Sequence, residues 1–152
     1  MIRIIPTLLI IFLIQGCGYH SIHKIDRFDF TIIKFNTTGD KKINRELNRN
    51  FEKFQTKGIS KRRYEIIADS KINRKVKSRD SAGIAENLLI NLSIKVTVIE
   101  NGNIISERLF QRNNSYTNLE NKFELSQYEL IILQNLNTKI IKKINLYISS
   151  LK

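Results

Sequence analysis

The stretch LLINLSIKVTVI, residues 88–99, constrains the fold more than any other part of the chain. Apolar residues occupy every even position from 88 to 98, and polar residues occupy the odd positions from 91 to 97. A period of two is typical of a strand with one buried face. Asn101-Gly102 follows, which is the strongest short-range signal for a two-residue hairpin turn of type I′. The sequence therefore predicts this strand, a tight turn, and a returning strand in residues 104–117.

Two further strands and one helix are expected before this hairpin. The segments FDFTIIKFN (28–36) and RYEIIADSKI (63–72) predict strands, and residues 73–87 form either a loop or an extension of the second strand. Between them lies an amphipathic helix, for which Asp40 is the expected N-cap and Gly58 the C′ residue. Its apolar stripe consists of Ile43, Leu47, Phe51 and Phe54.

A long helix is expected after the hairpin. Thr117 and Glu120 have the spacing of a capping box, and the helix should run from about residue 119 to residue 151. Its core stripe consists of Leu133, Leu136, Ile140, Ile144, Tyr147 and Leu151. The order βαβββα predicts an α+β two-layer sandwich, with a four-stranded, mainly antiparallel sheet and both helices on one face. We expect a single domain over residues 27–152, with the other face of the sheet free.

The N-terminus has the pattern of a secretory signal. Arg3 precedes an apolar run over residues 4–14, which is much shorter than the roughly 20 residues that span a bilayer core. Gly16 and then Cys17, the only cysteine, follow this run. The arrangement resembles the lipobox of bacterial lipoproteins, which implies that residues 1–16 are a signal peptide and that Cys17 becomes the acylated first residue. Residues 17–26 would be the lipidated tether, and Gly18 points to the outer membrane.

The charge of the chain favours anionic partners. Twenty-six basic and 14 acidic residues give a formal net charge of +12, which suits nucleic acid, acidic lipid or an anionic polysaccharide. We find no nucleophile–base motif, Gly-rich phosphate loop or metal-ligand spacing, and therefore expect no enzyme, cofactor or metal. His20 and His23 lie three residues apart in the tether without a third ligand, so we interpret them as exposed tether residues.

The hairpin turn also predicts a register. If Asn101 and Gly102 form the loop, opposed residue numbers sum to 203, which places Lys95 opposite Arg108, and Asn91 opposite Arg112, on the face away from the helices. Like charges opposite each other are unfavourable, and guanidinium groups bind phosphate well. Lys95, Arg108 and Arg112 are therefore the candidate anion-binding residues, and residues 75, 77 and 79 would extend the patch. The alternative is a merely solvated face.

Three functions are compatible with these sequence features. They are a lipid-assembly scaffold, an auxiliary lipoprotein of an ABC-type lipid transport system, and a nucleic-acid-binding module. The last would require aromatic residues among the basic residues of the strand, and Phe110 is the only one between Arg108 and Arg112.

The segments "CGY" (17–19) and "SYT" (115–117) before a long final helix, together with the order of elements, resemble the lipopolysaccharide-assembly lipoprotein LptE family. The resemblance implies an outer-membrane lipoprotein, on the periplasmic side, with two helices on a four-stranded sheet. It further implies that the protein plugs and supports an LptD-like β-barrel translocon, binds lipopolysaccharide, is held at the membrane by acylated Cys17, and does not bind nucleic acid. Only Cys17 can be matched to the family residue by residue. The auxiliary transport lipoprotein remains the alternative.

Overall fold

Strands and helices follow each other in the expected order in a computed structural model that describes residues 30–52, 54–55 and 62–151. The strands are β1 (Phe30–Gly39), β2 (Arg62–Arg79), β3 (Ala85–Glu100) and β4 (Asn103–Thr117); the helices are α1 (Lys41–Glu52) and α2 (Lys122–Ser150). The sheet order is β1-β2-β3-β4, with β1 parallel to β2 and the other pairs antiparallel. The predicted α+β fold is confirmed.

The N-terminal predictions fall outside the described residues. They are the signal peptide over residues 1–16 and the tether over residues 17–26, which includes Cys17, His20 and His23. Gly58, the expected C′ residue of the first helix, also lies outside them, but Phe54 and Gln55 are already non-helical, so this helix ends earlier than predicted.

The core lies between the sheet and the helices. The even-numbered residues of β3 from 90 to 98 are fully buried, as their alternation predicts. Above them, α1 contacts β1 and α2 contacts β3 and β4. Both helices bury most of the predicted stripes: Ile43, Leu47 and Phe51 on α1, and Leu133, Leu136, Ile140, Ile144 and Tyr147 on α2. Phe54 and Leu151, the last residue of each predicted stripe, lie beyond the helix ends and are only partly buried. The helices therefore cover one face of the sheet.

Different residues cap the two helices, and one of them corrects a prediction. Asp40 caps α1 as expected, because its Oδ1 accepts from the backbone N–H groups of Lys42 (2.9 Å) and Ile43 (3.1 Å). The Thr117–Glu120 capping box is wrong: Thr117 ends β4, and Asn121 caps α2 by accepting from the N–H groups of residues 123 and 124. The backbone N–H of Asn118 donates to the carbonyl of residue 86 (2.7 Å). This bond holds the chain against β3 before the helix begins.

β1 ends where it meets a close approach to β2. Gly39 has a φ of 93° and pairs with Ser70, and a Cβ at Gly39 would lie 1.9 Å from the carbonyl oxygen of Ser70. The hydroxyl of Ser70 accepts from the backbone N–H of Asp40 (2.9 Å) and donates to Asn44 Oδ1 (2.8 Å). Beyond Ser70, residues 71–79 of β2 pair with β3 alone. Residues 73–79 are thus an extension of the second strand, one of the two predicted alternatives.

Candidate functional site

The hairpin between β3 and β4 has the predicted turn but not the predicted register. Asn101 (φ 51°) and Gly102 (φ 80°) are both left-handed, as a type I′ turn requires. A β-bulge at residue 105 then shifts the pairing by one, so that Val96 lies opposite Arg108 and Lys95 lies opposite Leu109. The prediction that Lys95 faces Arg108 is therefore wrong, and so is the pairing of Asn91 with Arg112.

Aromatic burial explains the bulge. A one-residue shift moves every following side chain to the other face of the sheet. With the shift, Phe110 and Tyr116 point toward the helices and are only 7% and 4% exposed, whereas Leu109 is left outside at 56%. Two aromatic side chains bury more surface than the aliphatic residues that they displace. We therefore attribute the register to Phe110 and Tyr116.

The shift separates the three predicted anion-binding residues. Lys95 lies on the open face of the sheet, where its ammonium is 3.0 Å from the carboxylate of Glu107. Glu107 also accepts from Thr97 Oγ1 (2.9 Å), and the bonds to Lys95 and Thr97 lower the pKa of its carboxyl below the usual value. Lys95 therefore already has an anionic partner within the protein.

Arg108 and Arg112 lie on the helix side of β4, opposite Val96 and Leu92. The guanidinium carbon of Arg108 is 5.7 Å from the centre of the Phe110 ring and 5.1 Å from that of Tyr147, distances typical of cation–π contacts. Arg112 is exposed. The three cations therefore do not lie on one face of the sheet. Ligand binding by each of them stays a prediction, but the shared face that motivated it is absent.

The open face of the sheet carries exposed apolar side chains near its hairpin end. Ile99 pairs with Ile104, and Leu109 lies on the same face opposite Lys95, separated from them by the Thr97–Glu107 pair. Ile104 is 63% exposed and Leu109 is 56% exposed. No described element covers these side chains. The open face therefore combines polar side chains with a local apolar surface that a partner protein could bury.

A cleft opens between the helices at the N-terminal end of α1. It has a volume of about 790 Å³, its two walls come from α1 and α2, and its floor includes Ile72 and Arg74 of β2. The wall from α1 carries Lys42, Arg45 and Arg49, which follow one face of the helix at spacings of three and four residues. We call this set the α1 cationic stripe, and the space beside it the interhelix cleft.

A charged network closes one side of this cleft. Arg74 Nε is 2.9 Å from Glu129 Oε2 on α2, and the hydroxyl of Tyr116 on β4 donates to the other carboxylate oxygen. Burial, and then the bond to Glu129, raise the pKa of Tyr116. The network joins β2, β4 and α2, so the floor of the cleft is tied to its α2 wall.

The sequence contains one signal for this cleft that the predictions did not use. α1 begins with Lys41 and Lys42 and has no acidic residue in its first turn, although the helix dipole favours acids there and disfavours cations. The position of the cleft itself depends on where the two helices end relative to β2, which periodicity does not specify.

The described residues contain neither a metal-ligand cluster nor a membrane-spanning helix. Among residues 30–52, 54–55 and 62–151, no three histidine, cysteine or acidic side chains are grouped so that they could hold a metal ion. Neither described helix combines the length and the hydropathy needed to cross a bilayer.

Comparison with solved structures shows what the chain resembles. Rare lipoprotein B from Shewanella oneidensis matches with a TM-score of 0.58 and 10% identity, over 77% of this chain and 94% of that one. A minor lipoprotein from Acinetobacter baumannii matches with a TM-score of 0.60 and 13% identity, over 81% and 92% of the two chains. Lipoprotein B from Nitrosomonas europaea gives a TM-score of 0.54 and 10% identity, over 78% and 84%.

These matches show that the chain has the fold of LptE-type lipoproteins, as the resemblance in "CGY", "SYT" and the order of elements implied. No protein-family model matches the chain. No curated protein matches it either.

Proposed function

We propose that this protein is an outer-membrane lipoprotein that binds lipopolysaccharide and supports an LptD-like β-barrel translocon, which it plugs from the periplasmic side. The observation that carries the proposal is the shared fold with rare lipoprotein B and the minor lipoprotein, over more than three quarters of this chain. The lipobox-like Cys17 supports the same proposal independently. We propose no enzymatic activity.

The open face of the sheet is the surface that we assign to the barrel. Its apolar side chains Ile104 and Leu109 are exposed and uncovered by any described element, while the opposite face is filled by the two helices. Exposed apolar surface of this kind is usually buried by a partner. Docking through the open face would leave the helices, and the interhelix cleft between them, available to a ligand.

Co-purification tests the barrel partner. The full chain with a C-terminal affinity tag is extracted from membranes in a non-ionic detergent, and the bound proteins are identified by mass spectrometry. We expect one large outer-membrane barrel, accompanied by lipopolysaccharide. Recovery of inner-membrane transporter subunits instead would favour the auxiliary lipoprotein of an ABC-type system and contradict the plug.

The lipid anchor has its own test. We propose that Cys17 is the first residue of the mature protein and is acylated. The intact mass of the membrane-extracted protein should equal that of residues 17–152 plus acyl chains, and Cys17→Ala should abolish this species. The mass of an unprocessed chain, or of a cleaved chain without acyl groups, would contradict the anchor.

A further inference from the structure

We propose that the interhelix cleft is a binding site for an amphiphile with a phosphorylated headgroup, whose phosphate contacts the α1 cationic stripe and whose hydrocarbon lies on the floor of the cleft. The assignment of that amphiphile to lipopolysaccharide rests on the proposed function. The site and its chemistry depend on the described residues alone.

Lys42 of the α1 cationic stripe, like the neighbouring Lys41, is placed against the helix dipole. Both lie in the first turn of α1, at the positive end of the dipole, whereas Arg45 lies in the second turn and Arg49 in the last. Each exposed cation at such a position is typically unfavourable by about 0.3–1 kcal/mol. A bound anion beside these lysines would offset that cost.

The acidic residues of the cleft are already engaged. Asp40 caps α1 through its carboxylate, Glu46 accepts from Asn137 Nδ2 at 2.7 Å, and Glu129 is bound by Arg74 and Tyr116. Within the described part of the chain, the two ion pairs are Arg74–Glu129 and Lys95–Glu107. The side chains of the α1 cationic stripe therefore have no acidic partner there and can receive an external anion.

Apolar side chains form part of the floor of the cleft, beside the Arg74–Glu129 ion pair. Ile72, Leu130 and Leu133 line it from β2 and α2, and Ile72 and Leu130 are only partly buried. The volume of about 790 Å³ lies within the range of roughly 300–1,000 Å³ found for small-ligand sites. A phosphate alone would leave this apolar surface wet. A ligand with both a phosphate and a hydrocarbon chain satisfies the cations and the floor together.

Charge variants test the headgroup contact. The triple variant K42Q/R45Q/R49Q removes the α1 cationic stripe, and K139Q/K142Q/K143Q removes three exposed cations of α2 outside the cleft, so both lower the net charge equally. Binding of fluorescent lipopolysaccharide to the full chain is measured in a non-ionic detergent. We expect the first variant to lose affinity about tenfold or more, since charge-assisted hydrogen bonds are strong, and the control to lose less than about threefold.

The binding results distinguish a wrong location of the site from a wrong proposed function. Absence of binding by the unaltered protein would contradict the proposed function itself. Binding that both variants retain equally, or lose equally, would overturn the cleft while leaving lipopolysaccharide binding in place. Circular dichroism of both variants checks that each one is folded.

Photo-cross-linking tests the location directly. A photoreactive amino acid replaces Gln134, which lines the cleft, or Gln111, which lies exposed on the open face of the sheet. Irradiation of cells should attach lipopolysaccharide at position 134 and not at position 111. A protein adduct at position 134 would show that the barrel occupies the cleft and would overturn the proposal.

A soluble competitor tests whether the hydrocarbon chain of the ligand contributes to binding. Glucosamine 1-phosphate carries the headgroup chemistry without the chain. It should displace fluorescent lipopolysaccharide only at concentrations far above those of unlabelled lipopolysaccharide. Equal potency would show that the site takes a free sugar phosphate, and would overturn the role of the apolar floor.

Discussion

The two halves of β2 follow one alternating pattern but lie in different surroundings. In residues 62–70, the strand is paired on both sides and the inward side chains of Tyr64, Ile66 and Ala68 are at most 1% exposed. In residues 71–79, the strand is paired with β3 alone, and the inward-facing Val76 is 44% exposed. The alternation thus specifies which way a side chain points, whereas its burial depends on what lies above and beside it.

The difference between the halves creates the cleft. β1 ends and α1 begins near the level of Ser70, while α2 continues alongside the second half of β2. Ile72 and Arg74 are therefore covered on the side of α2 and open on the side of α1. A buried half anchors the domain, and an adjoining half-covered segment supplies a ligand-accessible floor.

A matched pair of isoleucines gives the largest expected contrast. Ile66→Ala, in the paired half, should lower the free energy of unfolding by about 3–5 kcal/mol, because it opens a cavity in a fully buried site. Ile72→Ala should cost about 1–2 kcal/mol, because its side chain is only partly buried. Urea unfolding of the full chain in detergent measures both. Equal losses would show that the second half is as well packed as the first.

A pair of glycines sharpens the comparison at the boundary. Gly39→Ala should cost about 2–3 kcal/mol, since φ is 93° and the added Cβ would meet the backbone carbonyl of Ser70. Gly83→Ala, in the turn after residues 71–79 of β2, should cost only about 1 kcal/mol. Its φ of 79° is also left-handed, but no atom lies within 4 Å of the added Cβ. Thermal unfolding of the two variants measures the difference. Equal shifts would show that the contact between β1 and Ser70 does not limit stability.

The same distinction explains how far the sequence could be interpreted. Periodicity identified every strand and both helices, and Asn101-Gly102 identified the turn. The register of β4 could not follow from the turn, because the burial of Phe110 and Tyr116 shifts it through a bulge at residue 105. The predicted patch of Lys95, Arg108 and Arg112 depended on that register and is not one surface.

The start of α2 and the interhelix cleft depend on contacts between distant segments. Asn118 is bonded to residues 85 and 86 of β3, which delays the helix past the Thr117–Glu120 motif. The cleft depends on the relative ends of α1, α2 and β1. Only the cations at the start of α1 signal it locally, and in a chain with many lysines that signal is weak without the geometry.

The smallest expected effect concerns the network of Arg74, Glu129 and Tyr116, which ties residues 71–79 of β2 to α2. Because burial and the bond to Glu129 raise the pKa of Tyr116, the folded protein holds this proton more tightly than the unfolded chain, in which tyrosine titrates near pH 10. Below about pH 10, both states are protonated and the full contribution is present. As the pH rises above 10, the unfolded chain loses its proton first and stability falls.

Tyr116→Phe should remove this part of the alkaline loss. Urea midpoints measured at about pH 8, 10 and 11 should therefore decline less steeply for the variant than for the unaltered protein. Tyr128→Phe is the matched control, because Tyr128 lies edge-on against Tyr116 but leaves the Glu129 bonds in place when its hydroxyl is removed. If the urea midpoints of both variants decline as steeply as those of the unaltered protein, Tyr116 is not the group that couples pH to stability. The network would then stabilise the cleft through Arg74 and Glu129 alone.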